Sequence, residues 1–460
     1  MAVEITRTPS SNGNQKIWTW SAWVKKATVG MGSGDYQQLF TANVGNQSRY
    51  TDIYFREDYF EVFGGLYSTS STSVDINVST NRVFRDPSSF YHLVVAVDTT
   101  QSTAADRVKI YVNGVQETSL KNYQGSTVVY PGQNNNTFMN VTTAENRIGA
   151  SGGSYPFKGL MTHIHFIDGT AYPASTFGET DSTSGIWKPK TAPSVTYGTN
   201  GFFLKFENSG NLDLDSSGNN HTFSTSGTLT QNVDTPSNNF AVMNPLDNYY
   251  TVNSFSNGNT TVTTPNSGYS GAIGGMGASA GKWYFEFKPI SKTGDADEYA
   301  VGITGAPVTS TNQPHWKLAT GYMYGAVNGN VFNNDSGATY GNTYTAGDII
   351  GVAMDLDNNK LYFSKNGTFQ NSGVPTSGST GTGATSITAA SSTITGFYIP
   401  CCAFSSNSYG AVMAFNFGSG YFQTTAVTSA NADGNGIGAF EYSVPSGYYA
   451  LCTKNIKEFG

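Results

Sequence analysis

Acidic side chains are the first candidates for chemistry in this chain. Glycoside hydrolysis needs two carboxyl groups around the scissile bond, and alternation along a strand would place them on one face. The densest acidic run, Asp295-Ala296-Asp297-Glu298, follows Lys292-Thr293-Gly294. Glycine and polarity predict a solvated turn there rather than a strand. We therefore assign no catalytic residue and expect that the protein is not an enzyme.

Histidine is the next candidate, as a metal ligand. His163 and His165 lie two residues apart, so a strand would direct both side chains to one face. Such a pair can ligate a metal. A polar pair that faces solvent or a subunit contact is the simpler interpretation. His92 lies between Tyr91 and Leu93 in an apolar run and is expected to be structural.

Calcium is the one cofactor for which the sequence offers ligands. Asp213, Asp215 and Asn219 supply hard oxygen atoms at i, i+2 and i+6, the atom type that calcium prefers. The segment lacks the glutamate that closes an EF-hand loop, and Asp-Ser-Ser-Gly is also ordinary turn chemistry. Both interpretations stay open, and no other cofactor is expected.

Several polar segments combine aromatic rings with amide and carboxylate groups. Such groups bind sugars, because rings pack against the C–H faces and polar groups bond the hydroxyls. The candidate ligand-binding residues that we expect in loops are Asp35, Tyr36, Asn134, Asn135, Asn136, Trp316, Tyr322 and Tyr324. The alternative is that these tyrosines lie on solvent-exposed faces of a sheet or pack against a neighbouring subunit.

Composition restricts the partners. Charged residues make up 12% of the chain and the net charge is −7, so no basic stripe is available for nucleic acid. The pair Lys25-Lys26 is expected to be a solvated strand end. No apolar run approaches the ~18 residues of a membrane span, and the first residues lack a signal peptide pattern. We expect synthesis in a cytoplasm, without membrane insertion.

The elements that must position these residues are strands. Short alternating apolar runs are separated by Gly, Asn, Asp, Ser and Pro, which predicts an all-β fold of antiparallel sandwiches. In the first run, Trp18 and Trp20 share a face and Trp23 points the other way. The adjacent Cys401 and Cys402 likewise point to opposite faces, and with Cys452 they give no disulfide framework.

The same hairpin sequence pattern occurs twice in the chain. An alternating strand runs into Asn113-Gly114, and a near copy runs into Asn366-Gly367. Asn-Gly supplies the two positive-φ positions of a tight hairpin. The repeat predicts two tandem sandwiches of jelly-roll type. We expect the first at residues 1–207, an irregular linker at 208–248, the second at 249–440 and a tail at 441–460.

Both halves resemble known modules. The first resembles laminin-G-like, concanavalin A-like sandwiches at Trp18 to Lys25, Phe84 to His92, Arg107 to Val115 and Phe157 to Gly169. The second resembles SPRY (B30.2-like) modules at Gly281 to Glu286, Ala300 to Ile303 and Gly347 to Asp357. SPRY modules generally bind partners through loops at one end of the sandwich. This resemblance adds Asp295, Asp297 and Glu298 to the candidate ligand-binding residues.

The whole chain resembles a structural, tail-fibre-like protein of marine bacteriophages. The resemblance is carried by Arg7 to Lys25, Phe177 to Lys190 and Asp234 to Leu246. It implies a surface-exposed virion protein, a fibre or appendage component that binds host surface polysaccharide. The alternatives are a capsid or tail decoration protein that contacts only other virion proteins and, less favoured, a polysaccharide-degrading enzyme. A homo-oligomer is expected, because phage appendages are usually trimers.

Overall fold

The structure is a computed structural model that describes residues 2–44, 49–67, 72–123, 127–182, 185–247, 252–266, 268–294, 298–309, 313–406 and 408–460. It divides into two compact units, Met1–Gln231 and Asn232–Gly460. Strands make up 43% and helices 6% of the chain, so the all-β prediction is confirmed. Within the described residues, no helix is long and apolar enough to cross a membrane.

The first unit consists of short and medium strands joined by turns. Its strands are β1 (Glu4–Arg7), β2 (Ile17–Lys26), β3 (Tyr36–Val44), β4 (Arg49–Arg56), β5 (Tyr59–Tyr67), β6 (Thr72–Val83), β7 (Tyr91–Asp98), β8 (Val108–Val112), β9 (Val115–Glu117), β10 (Leu120–Lys121), β11 (Ala144–Ile148), β12 (Gly159–Asp168), β13 (Gly178–Thr180), β14 (Trp187–Pro189), β15 (Phe202–Leu204) and β16 (Ser224–Ser226). Single 3-10 turns lie at Ala104–Asp106 and Ala174–Thr176.

Two sheets form the sandwich of the first unit. One has the order β10-β6-β5-β4-β3-β11-β1-β16 and the other β15-β12-β2-β7-β8-β9. Alternation places one face of each strand in the core between them. Trp18 and Trp20 lie in that core, whereas Trp23 stacks on His92 outside it at 4.5 Å. The facing expected for the three tryptophans is therefore correct.

The second unit begins with shorter strands. Its strands are β17 (Ser254–Ser256), β18 (Thr261–Thr263), β19 (Ser270–Ile273), β20 (Lys282–Lys292), β21 (Tyr299–Thr304), β22 (Gly321–Gly325), β23 (Asn330–Asn333), β24 (Ser336–Thr339), β25 (Ile350–Asp355), β26 (Lys360–Lys365), β27 (Thr368–Phe369), β28 (Thr385–Ser386), β29 (Ile399–Phe404), β30 (Ala411–Asn416), β31 (Tyr421–Phe422), β32 (Thr425–Ala426) and β33 (Tyr449–Ala450). Its helical segments are 3-10 turns at His315–Lys317, Pro375–Thr380 and Ala390–Ser392, and the terminal helix α1 (Thr453–Phe459).

This unit is also a two-sheet sandwich. The larger sheet follows the path β17-β18-β30-β20-β25-β26-β27, and the other has the order β19-β29-β21-β22-β23-β24. Cys402 lies in the main core, and Cys401 packs with Trp316 and Met323 in a cluster of its own. The two cysteines therefore point to opposite faces, as alternation predicts.

The two Asn-Gly hairpins make the same contacts. Asn113 and Gly114 have φ of 49° and 86°, and Asn366 and Gly367 have 47° and 81°. The Oδ1 atom of Asn113 accepts the backbone N–H of His92, and that of Asn366 accepts the N–H of Ile349, both at 2.8 Å. Each asparagine therefore ties its turn to the preceding strand.

The stretch expected as a linker is divided between the two units. Ser224–Ser226 pairs with β1 in the first unit. In the second, Phe240 is 1% exposed and Ala241 bonds to the backbone of Leu451. The expected tail is also part of the second unit, since β33 pairs in parallel with β20. Parts of both stretches are thus built into the two units.

The strand end at Lys25-Lys26 is not solvated. Lys26 is fully buried, and its Nζ donates to Oδ1 of Asp58 at 3.2 Å and to the carbonyl of Phe84 at 3.1 Å. Burial lowers the pKa of Lys26 to about 8 although Asp58 opposes this change. Lys25 is only 3% exposed, and its ammonium lies over the ring of Phe90. The expectation failed because both ammonium groups contact residues that are distant in the sequence, which the sequence pattern does not show.

Candidate functional site

A cleft of about 510 Å³ lies on the outer face of the eight-stranded sheet of the first unit. We call it the tyrosine cleft. It is lined by Tyr36, Gln38, Asn43, Tyr50, Asp52, Tyr54, Arg56, Phe63, Ser151 and Tyr155. Most of these side chains come from β3, β4 and β5, whose alternate residues fill the core. The pleat therefore fixes which side chains reach the cleft.

Strand β4 supplies the centre of the tyrosine cleft. Its sequence, RYTDIYFR, places Ile53 and Phe55 in the core. The intervening residues Asp52 and Tyr54 consequently face outward. Asp52 lies directly opposite Phe63 of β5, and directly opposite residues of an antiparallel pair share a face.

Aromatic rings form the walls of this cleft. The ring of Tyr36 lies 5.6 Å from that of Tyr54 and 5.4 Å from that of Tyr155. On the other side, Tyr50 and Phe63 stack at 5.8 Å with an angle of 24° between their planes. Ring faces held in this way offer flat apolar surface beside polar groups.

Two polar atoms of the cleft are buried without a partner among the described residues. They are Oδ1 of Asn43 and Nε of Arg56. The guanidinium of Arg56 lies 3.7 Å from the ring centre of Tyr123 and 5.2 Å from that of Tyr36. Because buried polar groups are normally hydrogen-bonded, an unpaired acceptor and an unpaired donor in one cleft suit a polar ligand.

Asp52 is the carboxyl group that lines the cleft, where it is partly exposed. Burial raises its pKa to about 7, and neighbouring Glu61 adds to the rise. The side chain therefore changes charge near neutral pH. In the ionised state it is a strong acceptor for hydroxyl groups.

Glu61 is a second carboxyl group behind the cleft wall. It is fully buried and accepts hydrogen bonds from Tyr54 Oη at 2.9 Å and Ser79 Oγ at 2.8 Å. Burial raises its pKa. A glycosidase needs both carboxyl groups at the scissile bond, whereas here only Asp52 reaches the cleft. The arrangement suits binding rather than hydrolysis.

Of the residues expected to bind ligand in the first unit, only Tyr36 lines this cleft. Asp35 is exposed and accepts the N–H of Gly32 at 3.0 Å in its own turn. Asn134, Asn135 and Asn136 form a separate exposed turn in which the Asn134 N–H donates to the carbonyl of Thr99.

Sequence reasoning missed Asn43, Asp52 and Arg56. Candidates were sought in turns, whereas these residues lie on strands β3 and β4. A signal was present, since Tyr50, Asp52, Tyr54 and Arg56 alternate with residues of the opposite face. An acidic residue inside such an alternation is unusual for a strand.

The second unit has a smaller cleft of about 230 Å³, which we call the tryptophan cleft. It is lined by Glu298, Tyr299, Ala300, Trp316, Gly325, Ala326, Val327, Asn328, Phe332 and Ser405. It brings together Glu298 and Trp316 from the expected set. The Oε2 atom of Glu298 is buried without a hydrogen-bond partner among the described residues. Asp295 and Asp297 lie outside the described residues.

Tyr322 and Tyr324 are not on loops. They lie in β22 and are 5% and 0% exposed. Tyr322 packs against Tyr398, and Tyr324 against Tyr344 and Phe363. The loop placement was wrong, because both tyrosines lie inside a strand whose side chains are buried.

The side chains considered as calcium ligands form hydrogen bonds to groups in and around their own turn. Asp215 is 5% exposed, and its carboxylate accepts the N–H groups of Phe203, Ser217 and His221 at 2.9–3.0 Å. Asp213 accepts Thr225 Oγ1, and Asn219 donates to two backbone carbonyls. No group of three or more metal-ligating side chains occurs among the described residues. The structure thus favours the turn interpretation.

The histidine pair is also internal. A bulge interrupts β12 between Thr162 and His165, and His163 has φ of 48°. His165 is 2% exposed and stacks on Phe203 at 3.8 Å. The expectation of a solvent-facing pair was wrong for His165, because the bulge breaks the alternation that it assumed.

Comparison with known proteins identifies both units. Residues 3–175 match the family model for the concanavalin A-like lectin/glucanases superfamily, and residues 282–419 match that for the SPRY domain. The Ran-binding proteins 9/10 homolog of Drosophila melanogaster and Ran-binding protein 9 of Danio rerio are both 36% identical over 91 residues. The match covers 20% of this chain and 9% and 15% of theirs, so this chain spans a small part of the length of these relatives.

Among solved structures, the SPRY domain of human HERC1 is similar with 19% identity and a TM-score of 0.30, over 38% of this chain and 96% of that one. Modules of both kinds are typically non-catalytic binding modules. The chain contains a concanavalin A-like module of the laminin G type followed by a SPRY domain.

Proposed function

We propose that this protein is a surface-exposed structural protein of a bacteriophage virion, a fibre or appendage component that binds host cell-surface glycan in the tyrosine cleft. The observation that carries the glycan proposal is the make-up of that cleft. Stacked rings lie beside the Asp52 carboxyl and beside Asn43 Oδ1 and Arg56 Nε, which have no hydrogen-bond partner among the described residues. A sugar presents C–H faces to rings and hydroxyls to such polar groups.

The virion part of the proposal is supported by segments that resemble those of phage structural proteins. Within the first unit, Phe177 to Lys190 includes β13 and β14. Within the second, Asp234 to Leu246 contributes the buried Phe240 and Met243. The first segment packs on its unit through Phe177 and Trp187, and the second packs through Phe240 and Met243, so their recurrence fits a building block that contains both modules.

A glycan array tests the binding proposal. We expect saturable binding by the purified protein, and a loss of at least about tenfold in affinity for Tyr50→Ala and Asp52→Asn, a single lost interaction of ~1.4 kcal/mol. The matched control is Tyr409→Ala, since Tyr409 is an exposed tyrosine of the second unit. Absence of binding to every glycan, or equal losses in the control, would contradict the proposal.

Decoration of the virion by protein–protein contact is the second candidate. It is favoured by the tryptophan cleft, where Trp316 lines a pocket beside Glu298 Oε2, an atom without a hydrogen-bond partner in the part of the chain that the structure describes. Relatives of the SPRY domain carry the name Ran-binding protein. Two results would favour the decoration hypothesis over the adhesion hypothesis. Virions that lack this protein would adsorb to cells normally, and the Trp316→Ala protein would no longer be incorporated into virions.

A further inference from the structure

A second cleft lies on the same sheet of the first unit as the tyrosine cleft. This arginine cleft has a volume of about 370 Å³ and is lined by Thr6, Arg7, Thr8, Ser10, Glu145, Asn220, His221, Thr222 and Ser224. Its lining is mostly hydroxyl and amide groups. Arg7 is 8% exposed and donates to the carbonyl of Asn200 at 3.4 Å.

One row of cross-strand neighbours joins the two clefts. The register pairs Phe63 with Asp52, Asp52 with Thr41, Thr41 with Arg147, Arg147 with Thr6, and Thr6 with Ser224. Directly opposite residues share a face, so all six lie on the outer face. The row crosses β5, β4, β3, β11, β1 and β16. Five steps of ~4.8 Å make it about 24 Å long.

The two clefts are adjacent beside the middle of this row, two residues along β3 and β11 from Thr41 and Arg147. Asn43, which lines the tyrosine cleft, lies directly opposite Glu145, which lines the arginine cleft. Between the clefts, Arg147 is bound by Glu4 at 3.1 Å and Glu145 at 2.5 Å. Two carboxylates therefore fix the Arg147 side chain, and Thr41 below it is fully buried. The side chains between the clefts are therefore polar.

We propose that the two clefts form one groove which binds an internal stretch of a polysaccharide chain, laid across the strands from Phe63 to Ser224. This inference rests on the proposed glycan binding and extends it from one cleft to a chain-length site. Backbone groups of the sheet are used in its ladders, so the groove offers side chains only. An extended peptide there would leave its own N–H groups unpaired, whereas a sugar chain carries hydroxyls at every unit.

The test is an array that presents the same sugar sequences as di-, tetra- and hexasaccharides. The blocking variants are Ser224→Trp and Thr8→Trp, because both residues are exposed in the arginine cleft. The control is Val115→Trp on the other sheet, where the side chain is 70% exposed. Two blocking positions, with circular dichroism of each variant, separate a blocked groove from a folding defect.

We expect the hexasaccharide to bind the wild type at least about tenfold more tightly than the disaccharide. The blocking variants should lose that gain and keep disaccharide binding, and Val115→Trp should keep both. Equal affinity for all lengths with no effect of blocking would overturn the extended groove and leave the tyrosine cleft standing. Failure of the wild type to bind any length would overturn both proposals.

Discussion

The indole Nε1–H of Trp187 donates a hydrogen bond of 3.0 Å to Nδ1 of His92. Indole nitrogen only donates, so Nδ1 of His92 carries no proton. The other ring nitrogen, Nε2, lies 2.9 Å from Ser21 Oγ and holds the proton of the neutral ring. A segment outside the two large sheets thus fixes the tautomer of a buried histidine.

Replacement of Trp187 should destabilise the first unit. In Trp187→Phe the buried Nδ1 of His92 loses its donor, and an unpaired buried acceptor costs roughly 1–3 kcal/mol. Chemical denaturation monitored by fluorescence should show this decrease in the free energy of unfolding. Val115→Ala, at an exposed position of the same unit, should leave it unchanged. Equal stability of Trp187→Phe and the wild type would show that the bond contributes nothing.

His92 should stay neutral in acid. Burial lowers its pKa to about 3, whereas an unfolded histidine titrates near 6.5. Below pH ~6.5 the unfolded chain binds more protons, so the His92 contribution to stability is lost as the pH falls toward 3. His165, whose pKa is also lowered, likewise makes the folded state less stable as the pH falls. Asp52 and Glu61 have raised pKa values, so they make the folded state more stable as the pH falls.

NMR of protein labelled at its histidines isolates the contribution of His92 from these opposing groups. The ring shifts of His92 should not change between pH 8 and pH 5. In Trp187→Phe the ring should begin to titrate at a higher pH, because a free Nδ1 can accept a proton. A wild-type His92 that titrates near pH 6.5 would contradict the buried neutral ring.

Glycan affinity should depend on the ionisation of Asp52. The pKa of Asp52 is raised to about 7 by burial, so the carboxylate forms between pH 6 and pH 8. Because hydrogen bonds to a charged acceptor are about twice as strong as neutral ones, binding should strengthen over this interval. Isothermal titration of wild type and Asp52→Asn separates the effect. If the variant keeps the same pH dependence, another group is responsible.

Glu286 should be essential to the packing of the second unit. It is fully buried and accepts the N–H groups of Glu441 and Tyr442, each at 2.9 Å, besides the Asn416 side chain at 3.1 Å. In Glu286→Gln an amide –NH2 would face one of these donors, at a cost of roughly 1–3 kcal/mol. Thermal unfolding should show the loss.

Burial raises the pKa of Glu286 to about 7 although its hydrogen bonds oppose this. The folded state therefore binds more protons than the unfolded one above pH ~4.5, and this group's contribution to stability falls as the pH rises toward 7. Stability of Glu286→Gln should lack that part of the pH dependence. Parallel pH profiles of variant and wild type would contradict the assignment.

Strand periodicity and turn residues were enough to predict the two sandwiches, but they did not predict the tyrosine cleft. The Asn-Gly turns and the facing of Trp18 and Trp20 depend only on strand period and turn geometry. The tyrosine cleft depends on register, because Asp52 meets Phe63 and Thr41 only once three strands are paired. Lys26 was misjudged for the same reason, since its partner Asp58 lies 32 residues away.

The carboxyl pair of the first unit should not hydrolyse glycan. Glu61 lies beside Tyr54, two residues along β4 from Asp52, but its oxygens are occupied by Tyr54 and Ser79. Substrate could reach it only if these bonds broke. We expect no release of reducing ends from bound polysaccharide by the wild type. Ser79→Ala together with Tyr54→Phe frees Glu61, and because the side chain stays buried this variant should also be inactive. Reducing ends that disappear in Asp52→Asn and Glu61→Gln would establish a glycosidase instead.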